Sequence, residues 1–283
     1  MPAAPGRHSP AGGPEVTVRA DPATGVEALH AVVARPGVDP VRLARAVAAE
    51  HLDGAGMVVV EVPVLPGRPV GPRAATPGGP AGARADDGLD LVWIYRDLAD
   101  RPPMPRPIGP ARIGADPALS AGLVAELAAS LAERARYCGL ADLLPDDRVL
   151  RARARALLGP VRWAGLRRDE AVAYVLWQLL VDPFRHSEVV DLVDICGSAR
   201  GVTELLLAHV AATERARRVR GSVAVSPAEP PGWLVLRTLC VRGWTVGAGR
   251  WRFAVAGEEV LSWRAAPLPW RRAALAAAAR VAG

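Results

Sequence analysis

Residues 186–209 read H-S-E-V-V-D-L-V-D-I-C-G-S-A-R-G-V-T-E-L-L-L-A-H. The apolar-rich segment 189–195 is typical of a buried strand, and a turn of small residues, G-S-A-R-G, follows it at 197–201. A strongly apolar helical segment begins directly after that turn. This order predicts a strand, a tight loop and a helix N-terminus, where backbone N–H groups and the helix dipole together form an anion site.

The composition of the chain limits its class. The 283 residues are 51% hydrophobic, which is enough for one large domain or two small ones with a real core. The chain has 35 basic residues, all of them arginine, and a net charge of +6. That charge suits a phosphate-bearing ligand or an acidic partner, and a basic solvated surface explains it equally well. No run of five arginines occurs, so we expect no nucleic-acid partner.

The cysteines and histidines predict no metal site and no disulfide framework. Cys138, Cys196 and Cys240 are widely spaced, without a C-x-x-C pair, which is typical of a reduced, cytoplasmic protein. The five histidines are scattered, so we expect no metal. The N-terminus has no apolar signal region and no stretch of 18 apolar residues occurs, so we expect no membrane span.

Periodicity and turn residues divide the chain into four regions. We expect a disordered N-terminus at 1–15, an α/β region at 16–106 with a flexible loop at 66–88, a larger domain at 107–267, and a C-terminal helix at 268–283. The predicted helices are 25–34, 39–51, 118–138, 146–158, 202–217 and 231–242. The predicted strands are 16–19, 57–64, 89–95, 111–113, 161–167, 171–180, 189–195, 221–225, 244–255 and 259–264.

Three segments of the larger domain carry a resemblance to a known family. They are R-R-D-E-A-V-A-Y-V-L-W at 167–177, V-D-I-C-G-S-A-R-G-V-T-E-L-L-L at 193–207, and R-G-S-V-A-V-S-P at 220–227, which a short helix connects to R-G-W-T-V at 242–246. In this order they resemble the GNAT superfamily of acyl-CoA-dependent N-acyltransferases. The resemblance implies an α+β fold with a mixed, largely antiparallel sheet flanked by helices. In that sheet, strands 189–195 and 221–225 should be adjacent and parallel.

The resemblance also implies where an acyl-CoA co-substrate, such as acetyl-CoA, would bind. The pantetheine arm would run along the main chain of one strand, and the pyrophosphate would lie on the N–H groups of the following turn. The implied cofactor-binding residues are Val193, Asp194, Ile195, Ser198, Ala199, Arg200, Gly201, Val202 and Thr203.

The chain departs from the family signature V-x-P-x-x-[QR]-x-x-G-x-[GA] at several positions. Ser198 stands where the family prefers Gln or Arg, and Thr203 where it prefers Gly or Ala, so Gly201 is the matching position, with Arg200 beside it. Leu239 occupies the position at which many members carry a tyrosine as general acid. A leucine side chain has no proton to donate.

Acyl transfer to an amine requires a group that removes a proton from the amine. Glu188 and Asp191 are the carboxylates at the start of the predicted strand 189–195, and we predict them as the catalytic base. The competing interpretation is that each is a polar strand-end group or an arginine partner. Tyr137 and Tyr174 are alternative proton donors, although core packing with a hydrogen-bonded hydroxyl is the favoured role of Tyr174.

The sequence therefore predicts an N-acyltransferase, in the simplest case an N-acetyltransferase, that acts on a small-molecule or protein amine. The alternative is a non-catalytic GNAT-like module for binding or assembly, which the eroded signature and Leu239 favour. The region 16–106 is a candidate degenerate copy of the same fold. A basic nucleic-acid-binding protein is the third alternative, and no recognition motif supports it.

Overall fold

The computed structural model describes residues 13–52, 54–64, 88–97, 120–168, 171–196, 202–214, 218–225 and 230–281. The predicted disordered terminus up to residue 12, the predicted loop at 66–87, the predicted strand 111–113 and the small-residue turn 197–201 lie outside these residues.

The described chain contains ten strands and six α-helices. The strands are β1 (Glu15–Ala20), β2 (Glu27–Val32), β3 (Ala55–Pro63), β4 (Leu89–Asp97), β5 (Arg162–Arg168), β6 (Ala171–Val181), β7 (Glu188–Cys196), β8 (Arg218–Ala224), β9 (Thr245–Ala256) and β10 (Glu259–Ser262). The α-helices are α1 (Pro40–His51), α2 (Ser120–Tyr137), α3 (Asp147–Leu158), α4 (Val202–Glu214), α5 (Pro230–Val241) and α6 (Leu268–Val281).

All ten strands form one sheet, in the order β1-β2-β3-β9-β4-β8-β7-β6-β5, with β10 paired to β9. The β2–β3 and β7–β8 pairs are parallel, and the other pairs are antiparallel. The predicted mixed, largely antiparallel α+β fold is therefore confirmed. The parallel β7–β8 pair, joined by α4, is also as predicted.

Helices cover both faces of the sheet. Side chains of α1, α4 and α5, such as Val47, Leu207 and Leu236, pack on one face. Side chains of α2 and α3, such as Leu127 and Leu150, pack on the other face together with α6. We call these the α4/α5 face and the α2 face.

Strand β4 joins the two regions that the sequence analysis separates, because it lies between β8 and β9. Asp90, at a register shift in β4, accepts hydrogen bonds from Nε of Arg250 (2.9 Å) and Nε of Arg252 (3.0 Å) on β9. Arg252 also pairs with Asp21 at 3.5 Å. The sheet and this buried ionic network both include residues on each side of the predicted domain boundary near residue 106. The boundary itself remains a prediction.

The predicted helix at 25–34 is wrong, because residues Glu27–Val32 form strand β2. The segment E-A-L-H-A-V is rich in helix-forming residues, but it pairs antiparallel with β1 and parallel with β3. Its buried Ala28 packs on the α2 face and its buried Ala31 on the α4/α5 face. Pairing on both edges outweighs the local propensity. By contrast, α1 starts as predicted, since the Asp39 side chain accepts from the first N–H groups and Pro40 follows it.

Candidate functional site

The site begins where β7 and β8 separate. The two strands are in register at two pairs, Val190 with Val219 and Asp191 with Arg220. Beyond these pairs β7 continues to Cys196 and β8 to Ala224 without a further register pair in either described strand. The main-chain edge of β7 after Asp191 therefore faces a gap, and not a neighbouring strand.

A β-bulge in β7 explains why the strands separate. Asp194 pairs with Leu176 of β6, whereas Leu192 pairs with the next residue, Trp177, so Val193 is an extra residue in β7. A bulge of this kind bends its strand and increases the local twist. The bulged residue Val193 lies two residues past Asp191, the end of the β7–β8 pairing, and the bend directs the carboxyl half of β7 away from β8.

A cavity of about 430 Å³ fills the gap between the two strands. Apolar side chains line it on the α4/α5 face, and a row of polar side chains from α2 lines it on the other. Its principal lining residues are Ile94, Leu192, Ile195, Leu207, Gly221, Val223, Val235, Leu239 and Trp244, with Ser130, Glu133, Arg134, Tyr137, Asp194, Ser222 and Arg242 as the polar set.

Three side chains hold the bulge against α2 and β6. The Arg134 guanidinium donates to the Val193 carbonyl (3.4 Å) and to Oδ1 of Asp194 (3.3 Å). The Tyr174 hydroxyl donates to Oδ2 of the same carboxylate (2.7 Å). We call this group the Arg134–Asp194–Tyr174 clamp. Because Asp194 follows the bulged residue directly, the clamp fixes the part of β7 that forms the cavity edge.

Burial raises the pKa of two groups, the Tyr174 phenol within the clamp and the Cys196 thiol next to it. Burial, followed by the charge of Asp194, raises the pKa of the Tyr174 phenol far above its ordinary value of 10.0. Burial also raises the pKa of the Cys196 thiol, and the charges of Asp194, Glu126 and Glu133 add to that effect. Tyr174 is therefore a poor proton donor, and Cys196 is a poor nucleophile at neutral pH.

Five of the nine residues predicted to bind the co-substrate lie in the described part of the chain, and their role remains a prediction. Asp194 and Ile195 line the cavity, and the carbonyl of Val193 accepts from Arg134. Val202 and Thr203 form the first turn of α4. The remaining predicted residues, Ser198, Ala199, Arg200 and Gly201, lie outside the described residues.

The two predicted bases lie at the other end of β7. Glu188 is the exposed first residue of the strand and pairs with Val181. Asp191 is 5% exposed, and its carboxylate accepts from Nε of Arg220 (2.7 Å) and Nε2 of Gln178 (3.0 Å). Neither residue is among those that line the cavity. Their role as base remains a prediction.

Helix α2 contributes a wall of the cavity that was not predicted from the sequence. Ser130, Glu133, Arg134 and Tyr137 line the cavity, and of these only Tyr137 was considered. Their spacing of i, i+3, i+4 and i+7 places them on one helix face, but every helix presents such a face. Their relevance follows from the packing of α2 over the sheet, more than fifty residues before β7 in the sequence.

Among the described side chains, no group of three or more His, Cys, Asp and Glu residues could hold a metal ion. None of the described helices is both long enough and apolar enough to cross a membrane.

The similarities between this chain and known proteins are similarities of fold alone. No protein-family model and no curated protein matches the chain. Among solved structures it is similar to Eis1 from Mycobacterium abscessus, with 15% identity and a TM-score of 0.32 over 90% of this chain and 74% of that one. It is also similar to a conserved protein of unknown function from Enterococcus faecalis V583, described as a probable N-acyltransferase (9% identity, TM-score 0.38, 85% of this chain and 57% of that one).

A third similar structure is a functionally unknown conserved protein from Staphylococcus epidermidis ATCC 12228, with 7% identity and a TM-score of 0.41 over 84% of this chain and 88% of that one. Similarities at these identities and TM-scores say nothing about the activity of this chain.

Proposed function

We propose that this protein is an acyl-CoA-dependent N-acyltransferase, which moves an acyl group from the CoA thioester to an amine by direct attack. The observation that carries the proposal is the cavity between β7 and β8, two parallel strands that are joined by α4 and part at a bulge. Gaps of this kind are uncommon inside a sheet, because separated strands leave backbone groups without partners. A ligand with amide groups of its own would satisfy them.

The walls of the cavity fit a pantetheine arm. The edge of β7 from Leu192 to Cys196 offers main-chain donors and acceptors to which an extended chain with two amides can add like a strand. Apolar side chains such as Leu207, Val235 and Leu239 face the gem-dimethyl and methylene groups. The N-terminus of α4 and the positive charge of Arg242, which lines the cavity, suit the CoA phosphates. The contacts predicted for Val202 and Thr203 involve this helix N-terminus.

The polar wall on the α2 face suits the amine acceptor. The carboxylates of Glu133 and Asp194 line the cavity there, and they attract an ammonium group. In the proposed reaction the amine loses a proton to a base and its nitrogen attacks the thioester carbonyl carbon. The C–N bond forms, the C–S bond breaks, and the CoA thiolate takes up a proton. A small-molecule amine and a protein amine are both compatible with this wall. The proposed cellular location of the protein is the cytoplasm.

Glu133 and Tyr137 are our candidates for the groups that move these protons. Glu133 is an exposed residue whose side chain lines the cavity, whereas Asp194 already accepts from Arg134 and Tyr174. Tyr137 also lines the cavity, opposite Leu239, which has no proton to give. We therefore propose Glu133 as base and Tyr137 as acid. Glu188 and Asp191 are tested beside them as the bases predicted from sequence.

The experiment is a steady-state assay of thiol release from acetyl-CoA with a panel of amines. Glu133→Gln should lower kcat by about 10²–10⁴-fold, the usual size of a general-base effect, and the loss should shrink at high pH, where the amine deprotonates unaided. Glu126→Gln on the same helix is the matched control and should leave kcat unchanged. A full effect in Glu188→Gln or Asp191→Asn, with none in Glu133→Gln, would move the base to the start of β7.

The second candidate function is a non-catalytic binding module, and Leu239 is the observation that favours it. A protein that binds CoA in the cavity but transfers no acyl group to any amine of the panel would be such a module.

A further inference from the structure

The inner end of the cavity has a feature that the proposed reaction does not explain, a glycine within β8. Gly221 directly follows Arg220, the last residue of β8 in register with β7, and so lies where the strands part. Its φ is not positive, so the backbone does not require glycine there. Glycine inside a strand weakens the strand, and it often marks a place that a ligand approaches closely.

The surroundings of Gly221 are apolar and leave room for one carbon atom at the position of a Cβ. A Cβ atom on Gly221 would lie 3.7 Å from the Trp244 ring and 3.8 Å from both Ile94 and Leu192, which is ordinary van der Waals contact. These three side chains are only 5%, 3% and 5% exposed, and with Gly221 they line the cavity. We call Gly221, Ile94, Leu192 and Trp244 the apex niche.

We infer that the apex niche holds the acyl chain of the donor, and that this chain is straight, uncharged and longer than acetyl. This inference rests on the proposed function. A pantetheine arm that enters along β7 brings its thioester to the bulge at Val193, next to the niche. The acyl chain then continues towards Gly221. Chain methylenes that fill this space gain contacts with three apolar walls, whereas a shorter chain leaves it empty.

The walls of the niche also exclude charged acyl groups. None of its three side chains carries a charge, so the carboxylate of a dicarboxylic acyl group would be buried there without an ionic partner. Water suits the space poorly for the same reason, because an ordered water needs two to four polar partners. The niche therefore selects for aliphatic chains.

The test is isothermal titration of the full-length protein with CoA, acetyl-CoA, butanoyl-CoA and hexanoyl-CoA. Burial of one methylene, about 0.8 kcal/mol, corresponds to about fourfold in affinity, so butanoyl-CoA should bind at least fourfold more tightly than acetyl-CoA. Gly221→Ala puts a methyl group into the niche and should reduce this preference to less than twofold, with the affinity for CoA itself kept within twofold.

Two further variants test whether this effect is specific to the niche. Gly159→Ala makes the same chemical change at the end of α3, where φ is −62°, and should keep the wild-type preference. Ile94→Val widens the niche by one methylene and should shift the preference towards hexanoyl-CoA. A wild-type protein that binds butanoyl-CoA no more tightly than acetyl-CoA overturns the inference, as does an undiminished preference in Gly221→Ala. If CoA itself does not bind, the proposed function fails and the inference falls with it.

Discussion

Replacing Tyr174 by phenylalanine removes one hydroxyl group from the Arg134–Asp194–Tyr174 clamp and leaves the aromatic ring in place. The hydroxyl lies 2.7 Å from Oδ2 of Asp194, and the two residues are 0% and 8% exposed. Hydrogen bonds to charged groups contribute about 1.5–3 kcal/mol to stability. We therefore expect Tyr174→Phe to lower the free energy of unfolding by about 2 kcal/mol.

The assay for this variant is urea unfolding at pH 7, followed by tryptophan fluorescence. Tyr137→Phe is the matched control, because it removes the same hydroxyl from a half-buried residue and should change stability by less than about 0.5 kcal/mol. A double-mutant cycle with Asp194→Asn should give a coupling of about 0.5–3 kcal/mol. A loss below about 0.5 kcal/mol in Tyr174→Phe, or strict additivity in the cycle, would refute the clamp.

Three further predictions concern pH, the buried ionic network and the general acid. Burial, followed by the charges of nearby arginines, lowers the pKa of His30 from 6.5 to about 3. Between about pH 3 and pH 6.5, His30 is protonated in the unfolded chain and neutral in the folded chain. The free energy of unfolding therefore falls as the pH is lowered. Urea titrations at pH 4–7 should show a slope that is shallower in His30→Phe by up to about 1.4 kcal/mol per pH unit. Asp90→Ala leaves Arg250 and Arg252 without this carboxylate and should cost about 3–5 kcal/mol in denaturant unfolding, and Asp97→Ala at the exposed end of β4 should cost far less. Tyr137→Phe should lower kcat by about 10²-fold, and adding Leu239→Tyr should restore it, as measured by thiol release; no rescue would mean that the acid lies elsewhere.

The local signals of the chain predict its elements well where they agree with tertiary packing. Asp39 and Pro40 mark the start of α1, and the order of strand, turn and helix at 186–209 places β7 and α4. The same signals also predict the parallel β7–β8 pair, because a strand–helix–strand unit is usually parallel and right-handed. Element type and neighbour order near the site were therefore accessible from sequence.

The remaining features depend on contacts between distant segments. The strand at Glu27–Val32 has a helical composition, and only its pairing with β1 and β3 makes it a strand. The position of β4 between β8 and β9 has no local signature, because its ionic partners lie about 160 residues away. The polar wall from α2 and the bulge at Val193 are likewise products of packing, and they carry the site.

The most direct test of the central claim, that CoA binds in the gap between β7 and β8, is hydrogen–deuterium exchange of the full chain with and without saturating CoA. Backbone amides that face an open gap exchange readily, and a strand-like ligand protects them. The account predicts slower exchange with CoA in peptides that cover 192–196 and 221–224, with β1 and β2 unchanged. Exchange in those two segments that does not respond to CoA would contradict it.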